Sequence, residues 1–104
     1  MDKKRRKRLE EVIADLDQWR EEASDLVSRI EDIKSDIEAI YEDEKDAYDR
    51  LLFPESEKGE RSQSAIDSME LAIDSVDQMA DDLEGLAGNS VDDIVDYLRE
   101  AIAC

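Results

Sequence analysis

The feature that most constrains this chain is a heptad repeat of apolar residues in its first half. Such a repeat places one apolar stripe along a helix, and the stripe packs against a partner helix in a coiled coil. No Gly or Pro interrupts residues 2–53, so the sequence predicts one helix over about residues 5–52. The repeat skips once, at Glu44. The apolar residues that we assign to this stripe, or seam, are Leu9, Val12, Leu16, Trp19, Ala23, Leu26, Ile30, Ile33, Ile37, Ile40, Ala47 and Leu51.

A second heptad tract follows a short turn. Pro54 ends the first helix, because proline lacks a backbone N–H and disfavours a helical conformation in the residue before it. We therefore expect a turn over residues 53–57 and a second helix over about residues 58–87. The seam of this second arm is expected to comprise Ile66, Met69, Ile73, Val76, Ala80, Leu83 and Ala87.

The chain ends in a short third segment. Gly88 is expected to act as a C-terminal cap and Ser90 as the N-cap of a helix over about residues 91–103. The two arms have nearly equal lengths and a short connection, which favours an antiparallel arrangement. The sequence thus predicts an all-α fold in a single domain, residues 1–104: a long antiparallel helical hairpin with a short third helix.

The composition excludes several classes of function. The 104 residues include 14 Lys and Arg, 31 Asp and Glu and no His, which gives a net charge of −17. Without histidine a serine nucleophile has no ordinary general base, and the lone Cys104 cannot form an internal disulfide or a multi-cysteine zinc site. No apolar run reaches the roughly 18 residues that span a membrane. We expect a non-enzymatic cytoplasmic protein with no catalytic residues, no metal site, no cofactor and no membrane partner.

Both arms also carry apolar residues beside the seam. An isolated two-helix hairpin buries little core for this much charge, and the extra residues widen the apolar face beyond a two-stranded stripe. We expect a homodimer in which two hairpins form a four-helix bundle, stabilised by salt because salt screens the repulsion between copies. The residues expected at that contact are Ile13, Val27, Tyr41, Tyr48, Ala72, Met79 and Leu86.

Six consecutive basic residues open the first helix, although cations there oppose the helix dipole. With Asp2 they carry +5, so residues 9–104 carry −22, and the acidic body makes direct nucleic-acid binding an unfavoured function. Three interpretations stay open: pairing with the acidic C-terminal segment, an external partner, or a free tail. The basic run comprises Lys3, Lys4, Arg5, Arg6, Lys7 and Arg8, and its expected internal partners are Asp92, Asp93, Asp96 and Glu100.

The second arm carries a row of carboxylates beside its seam. No basic residue lies between Arg61 and Arg99, so the usual i,i+4 ion pairs are missing. A stiff row of carboxylates can occupy a basic groove that normally receives nucleic-acid phosphates, whereas a solvated face or salt adaptation of a whole proteome fits the same pattern. The row, which we call the acidic docking face, comprises Asp67, Glu70, Asp74, Asp77, Asp81 and Glu84.

The turn and the repeats also carry a resemblance to a known group. The segment from Pro54 to Arg61, followed by Ala-Ile-Asp units at residues 65 and 72, resembles small acidic coiled-coil proteins of bacteriophages and bacterial mobile elements. The resemblance implies an inhibitor of a host protein, such as an anti-CRISPR or another counter-defence protein.

Two functions follow from these patterns. The first is a non-enzymatic inhibitor, a DNA mimic or anti-CRISPR-like protein, whose acidic docking face binds a basic, nucleic-acid-binding host protein. The second is a structural coiled-coil module, an assembly part or adaptor that acts through its apolar faces.

Overall fold

The computed structural model describes all residues from Met1 to Cys104 and contains helices but no strands. Helix α1 spans Lys3–Asp49, α2 spans Glu57–Gly85 and α3 spans Val91–Ala103, with a π-helical turn at Leu86–Ser90 between α2 and α3. The predicted all-α fold and the antiparallel helical hairpin are confirmed.

Helix α1 ends at Asp49, a few residues before the predicted end. The Leu51 N–H donates to the Tyr48 carbonyl at 3.0 Å, which tightens the last turn. The Arg50 Nε–H donates to the Asp46 carbonyl at 3.2 Å and so satisfies one of the free carbonyls at the helix end.

Helix α2 begins one residue after Ser56, which caps it. The Gly59 N–H donates to the Ser56 Oγ at 3.2 Å, and the Glu60 N–H donates to the Ser56 carbonyl at 2.9 Å. Glu57 and Glu60 lie in the first turn, where their charge favours the positive end of the helix dipole.

Gly59 is the position at which the turn tolerates no side chain. A Cβ there would lie 1.9 Å from the Pro54 carbonyl oxygen. We expect Gly59→Ala to lower the free energy of unfolding by about 1–3 kcal/mol, because the backbone must move to relieve the overlap. The matched control is Gly85→Ala, which has open space and should stabilise the helix by about 0.5–1 kcal/mol. Urea unfolding followed by circular dichroism measures both, and a neutral Gly59→Ala would contradict the turn geometry.

The hairpin divides into two compact units. The terminal unit comprises Met1–Ser28 and Asp81–Cys104, and in it the Met1 ammonium donates to the Cys104 carbonyl at 3.4 Å. The turn unit comprises Arg29–Ala80, and in it the Ser62 hydroxyl donates to the Glu44 carboxylate at 2.7 Å. Both units consist of antiparallel helix segments.

The predicted seam of the second arm is confirmed by burial. Ile66 and Ala80 are buried in the turn unit, and Ala87 is buried in the terminal unit. The other four predicted seam residues are half-buried. The row of the second arm that faces the first arm could therefore be read directly from its apolar spacing.

The predicted seam of the first arm was wrong in one of its two rows. The row with Ala23 and Ile30 faces inward as predicted. The other predicted row is exposed, and Trp19, expected in the core, is 41% exposed. The inward positions of α1 that replace it are Ile13, Arg20, Val27, Lys34, Tyr41 and Tyr48, all half-buried.

Two ion pairs across the arms accompany this shift by one residue. A two-helix pair buries two neighbouring rows, whereas α1 offers three rows with apolar members. Arg20 and Lys34 lie in the row that is chosen, and their long stems cover the seam while their charged heads reach Asp92 and Asp77 of the acidic second arm. The more apolar row stays outside.

The predicted break between the second and third helices was also wrong. Ser90 has helical backbone angles and makes no capping hydrogen bond, and no glycine has a positive φ. The helix instead continues through the π turn, which inserts one extra residue and rotates the helical residues after it. That rotation brings Val91 and Val95 into the core in place of Ser90.

Candidate functional site

Within each unit, the polar contacts between the two arms lie on one side. In the turn unit the Lys34 Nζ lies 2.6 Å from the Asp77 Oδ1, and the Tyr41 hydroxyl donates to the Glu70 Oε1 at 2.6 Å. In the terminal unit the Arg20 Nη2 lies 2.6 Å from the Asp92 Oδ1. Each acidic partner directly follows a seam residue in the sequence.

This rule extends along both arms. A residue directly after a seam position is rotated about 100° to one side, and in an antiparallel pair these residues of both helices lie on the same edge. We call this side the acidic edge. The residues directly before seam positions lie on the opposite side, which we call the apolar edge.

The acidic docking face lies on the acidic edge, and all six of its side chains are exposed or half-buried at the surface. Glu70 and Asp77 make the contacts described above, and Asp67 accepts a hydrogen bond from the Gln63 Nε2 at 2.8 Å. The carboxylates of the remaining members make no hydrogen bond or ion pair within the chain; these are Asp74, Asp81 and Glu84.

The structure adds residues of α1 that the sequence interpretation missed. Glu38 and Glu42 line a shallow groove together with Glu70, Asp74 and Ile73 in the turn unit, beside Tyr41. Each of the two directly follows a seam residue of α1 in the sequence. Glu42 follows Tyr41, which the sequence did not predict in the seam, so this relation could not be recognised from the sequence. The groove offers four carboxylates beside the side chain of Ile73.

The charge of the two edges differs strongly. The count starts at Leu9 in α1 and takes the buried Gly59 and Ser62 as the first two seam positions of α2. The residues directly after seam positions then include fourteen acidic side chains and one basic one, which gives −13. The residues directly before seam positions include five acidic and four basic side chains, which gives −1. Most of the excess negative charge of these two helices therefore lies along one edge.

The apolar edge carries the exposed apolar rows of both arms. Met79 is 50% exposed and Leu86 is 53% exposed, and Ala72 is exposed as well. Of the residues expected at a dimer contact, these three lie on this edge, whereas those of α1 lie in the seam. The α1 residues on the apolar edge are instead Val12, Trp19, Leu26, Ile33 and Ile40.

All six residues of the basic run at residues 3–8 are exposed. Arg5 contacts Asp2, with the Nε 3.6 Å from the Oδ2. Pairing of the run with the acidic C-terminal segment, one of the three interpretations, is not formed. Asp92 pairs with Arg20 instead, and no ion pair is formed by Asp93, Asp96 or Glu100.

Two seam side chains of α1 that contact carboxylates of the acidic edge have displaced pKa values. The hydrogen bond to Glu70 raises the pKa of Tyr41 to about 12, because it stabilises the neutral phenol. The hydrogen bond to Asp77 raises the pKa of Lys34, because it stabilises the ammonium. Both contacts hold the arms together through the carboxylates of α2.

The Tyr41 contact gives a pH prediction. Glu70→Gln removes the carboxylate charge and should bring the pKa of Tyr41 from about 12 back towards 10. In the wild type the contact stabilises the fold below pH 10, and this stabilisation is lost as the pH rises through about 12. NMR titration of the Tyr41 ring measures the shift, with Glu31→Gln as the control; an unchanged pKa in Glu70→Gln would contradict the assigned cause.

Comparison with protein families, curated proteins and solved structures gave no match to this chain. No helix is both long and apolar enough to cross a membrane. No group of three or more acidic or cysteine side chains is arranged to hold a metal ion.

Proposed function

We propose that this chain is a non-enzymatic inhibitor whose acidic edge docks on a basic, nucleic-acid-binding protein of a bacterial host. The observation that carries the proposal is the difference in charge between the two edges, −13 against −1. A surface selected only for solubility works best with both signs interspersed. One-sided charge instead favours a partner of opposite sign on that side.

The spacing of the carboxylates suits nucleic-acid mimicry. On α2 they follow one another every three or four residues, which corresponds to about 5 Å of helix axis. One DNA strand places its phosphates about 3.4 Å apart along the axis, so both are stiff rows of closely spaced negative charges. A basic groove that binds either row gains from the release of condensed counterions.

The unpaired carboxylates favour docking in a second way. Asp74, Asp81 and Glu84 have no internal partner, so binding to a basic surface breaks no ion pair of the hairpin. The groove beside Tyr41 suits a Lys or Arg side chain, whose charged head would contact the four carboxylates while its stem covers Ile73.

The resemblance to acidic coiled-coil proteins of phages and mobile elements gives the proposal its setting. It suggests that the chain acts in the cytoplasm of an infected bacterium, as a DNA mimic or an anti-CRISPR-like inhibitor of a defence protein. The host partner would then be a protein whose own function requires a nucleic-acid groove.

The proposal predicts that three reversals on α2 abolish docking. In Asp67→Lys/Asp74→Lys/Asp81→Lys each new lysine faces the basic partner, and juxtaposed like charges cost enough to weaken binding by about 100-fold or more. Tagged wild type and variant are used to capture partners from a bacterial lysate at about 0.05 M and about 0.5 M salt. The captured protein is then titrated with both forms.

The matched control places the same three reversals elsewhere. Asp25→Lys/Asp32→Lys/Asp46→Lys changes the net charge by the same amount on the outer side of α1, and it should retain binding. An equal loss of affinity in both variants would show that binding depends only on net charge, and it would reject a docking edge. Retained binding in the α2 variant would reject the proposal outright.

A second candidate function, a structural assembly module or adaptor, is favoured by the apolar edge. Its rows recur at steps of seven residues on both arms, as in a coiled-coil surface that packs against other helices. In this function charge reversal on α2 would be tolerated, whereas polar substitution of the apolar edge would abolish assembly.

A further inference from the structure

We infer that the apolar edge packs against the apolar edge of a second copy of this chain, so that two hairpins form a four-helix bundle with their acidic edges outward. The inference is independent of the proposed docking function, because it uses the opposite edge. It assigns a contact made by α1 residues that differ from those expected from the sequence.

The exposed rows occur in both units. In the terminal unit Trp19 and Leu26 of α1 lie on the same edge as Leu86 and Ile94. In the turn unit Ile33 and Ile40 lie on the same edge as Met79. Large apolar side chains at steps of seven residues form the ridge that a second helical pair covers in a bundle.

A single hairpin buries little apolar surface, so association with a second copy would add to its stability. No large side chain is fully buried, and three of the seven buried apolar residues are the alanines Ala23, Ala80 and Ala87. Charged Arg20 and Lys34 occupy seam positions. Chains with so little buried apolar surface are commonly stabilised by oligomerisation.

The charge of the apolar edge identifies a second copy as the occupant. An acidic chain with net charge −17 repels its own copies. The apolar edge carries only −1, so two copies that meet through this edge repel each other least. A basic partner would be drawn to the acidic edge instead. The flanking residues of α1 on the apolar edge carry both signs, with arginines at positions 8 and 29 among four acidic residues.

The available area matches a stable dimer. Eight large apolar side chains lie on the apolar edge, and most are about half exposed. If each leaves roughly 100 Å² accessible, a chain offers about 800 Å², which is the amount one partner contributes to an interface of standard size.

Sedimentation equilibrium across a concentration series tests the inference. The wild type should sediment with twice the mass of the chain. Ile33→Glu/Met79→Glu places two charges in the proposed contact and should raise the dissociation constant of the dimer by at least about 100-fold. Circular dichroism of the same samples reports whether the variant keeps its helices.

The matched control introduces the same charge away from the apolar edge. Ala39→Glu/Leu71→Glu changes exposed residues on the outer sides of α1 and α2, and it should remain dimeric. A wild type that stays monomeric at about 0.1 mM would overturn the inference, whether or not the Ile33 variant folds, because a standard-size apolar interface should associate at that concentration. A control that dissociates as fully as the edge variant would overturn it too.

Discussion

Ile30→Ala is expected to lower the free energy of unfolding by about 2–4 kcal/mol, whereas Ile33→Ala should cost less than about 1 kcal/mol in the monomer. Both residues are isoleucines of the same helix and both belong to the heptad pattern. Ile30 is 9% exposed and Ile33 is 48% exposed. The substitution at Ile30 therefore leaves a cavity in the hairpin, and the one at Ile33 removes surface that a single chain leaves in water.

Urea unfolding of dilute protein, followed by circular dichroism, measures this pair. Dilution is needed because Ile33 lies in the proposed contact between two copies. The loss of unfolding free energy caused by Ile33→Ala should therefore grow with protein concentration, whereas the loss caused by Ile30→Ala should not. Equal losses at every concentration would mean that both rows of α1 lie in the hairpin seam.

Salt is expected to act in opposite directions on the two surfaces. Raising salt from about 0.05 M to about 0.5 M should weaken docking of the acidic edge on a basic partner by about 10-fold or more, because fewer counterions are released. The same change should tighten the self-association, since it screens the repulsion between two copies of charge −17. Titration of the partner and sedimentation of the free protein, in the same buffers, give the two trends.

The charge-reversed Asp67/Asp74/Asp81 variant separates the two effects. It should lose the docking and its salt dependence, yet form a tighter dimer at low salt because its net charge is closer to zero. Self-association that weakens with salt would show that charge attraction, and not the apolar edge, holds the copies together.

The architecture was predictable because length and periodicity determine it. Pro54 and the short connection fix the turn, and the steps of three and four residues on the second arm select one seam, from Ile66 to Ala87, because the flanking row begins with the small Ala65 and Ala72. Burial along that arm agrees with the prediction.

The first arm was harder to interpret because hydrophobicity alone ranks its rows wrongly. The row with Val12, Trp19 and Leu26 is more apolar than the row with Arg20 and Lys34, so it was assigned to the seam. In the structure the second row faces the opposing arm, where Asp92 and Asp77 pair with its two cations. That information lies in the pairing of the two arms and not in either arm alone.

The end of the second arm also could not be predicted from the residue types of a single turn. Gly88 and Ser90 are typical of a helix break, and only the spacing of Val91 and Val95 after Ala87, in steps of four, indicates an inserted residue. Burying those valines favours a continuous helix with a π turn. Glu42 directly follows Tyr41, so its position beside the carboxylates of α2 could be recognised only from the true seam of α1.

Both proposed surfaces depend on the placement of one row of α1 outside the hairpin, and Trp19, the only tryptophan, reports on that row. Acrylamide quenching of its fluorescence is measured in the wild type and in Ile33→Glu/Met79→Glu. We expect ready quenching in the monomeric variant and quenching several-fold weaker in the wild-type dimer, where a second copy covers the indole. Equally weak quenching in both proteins, with helix content retained, would place Trp19 in the seam and contradict the outward placement of its row.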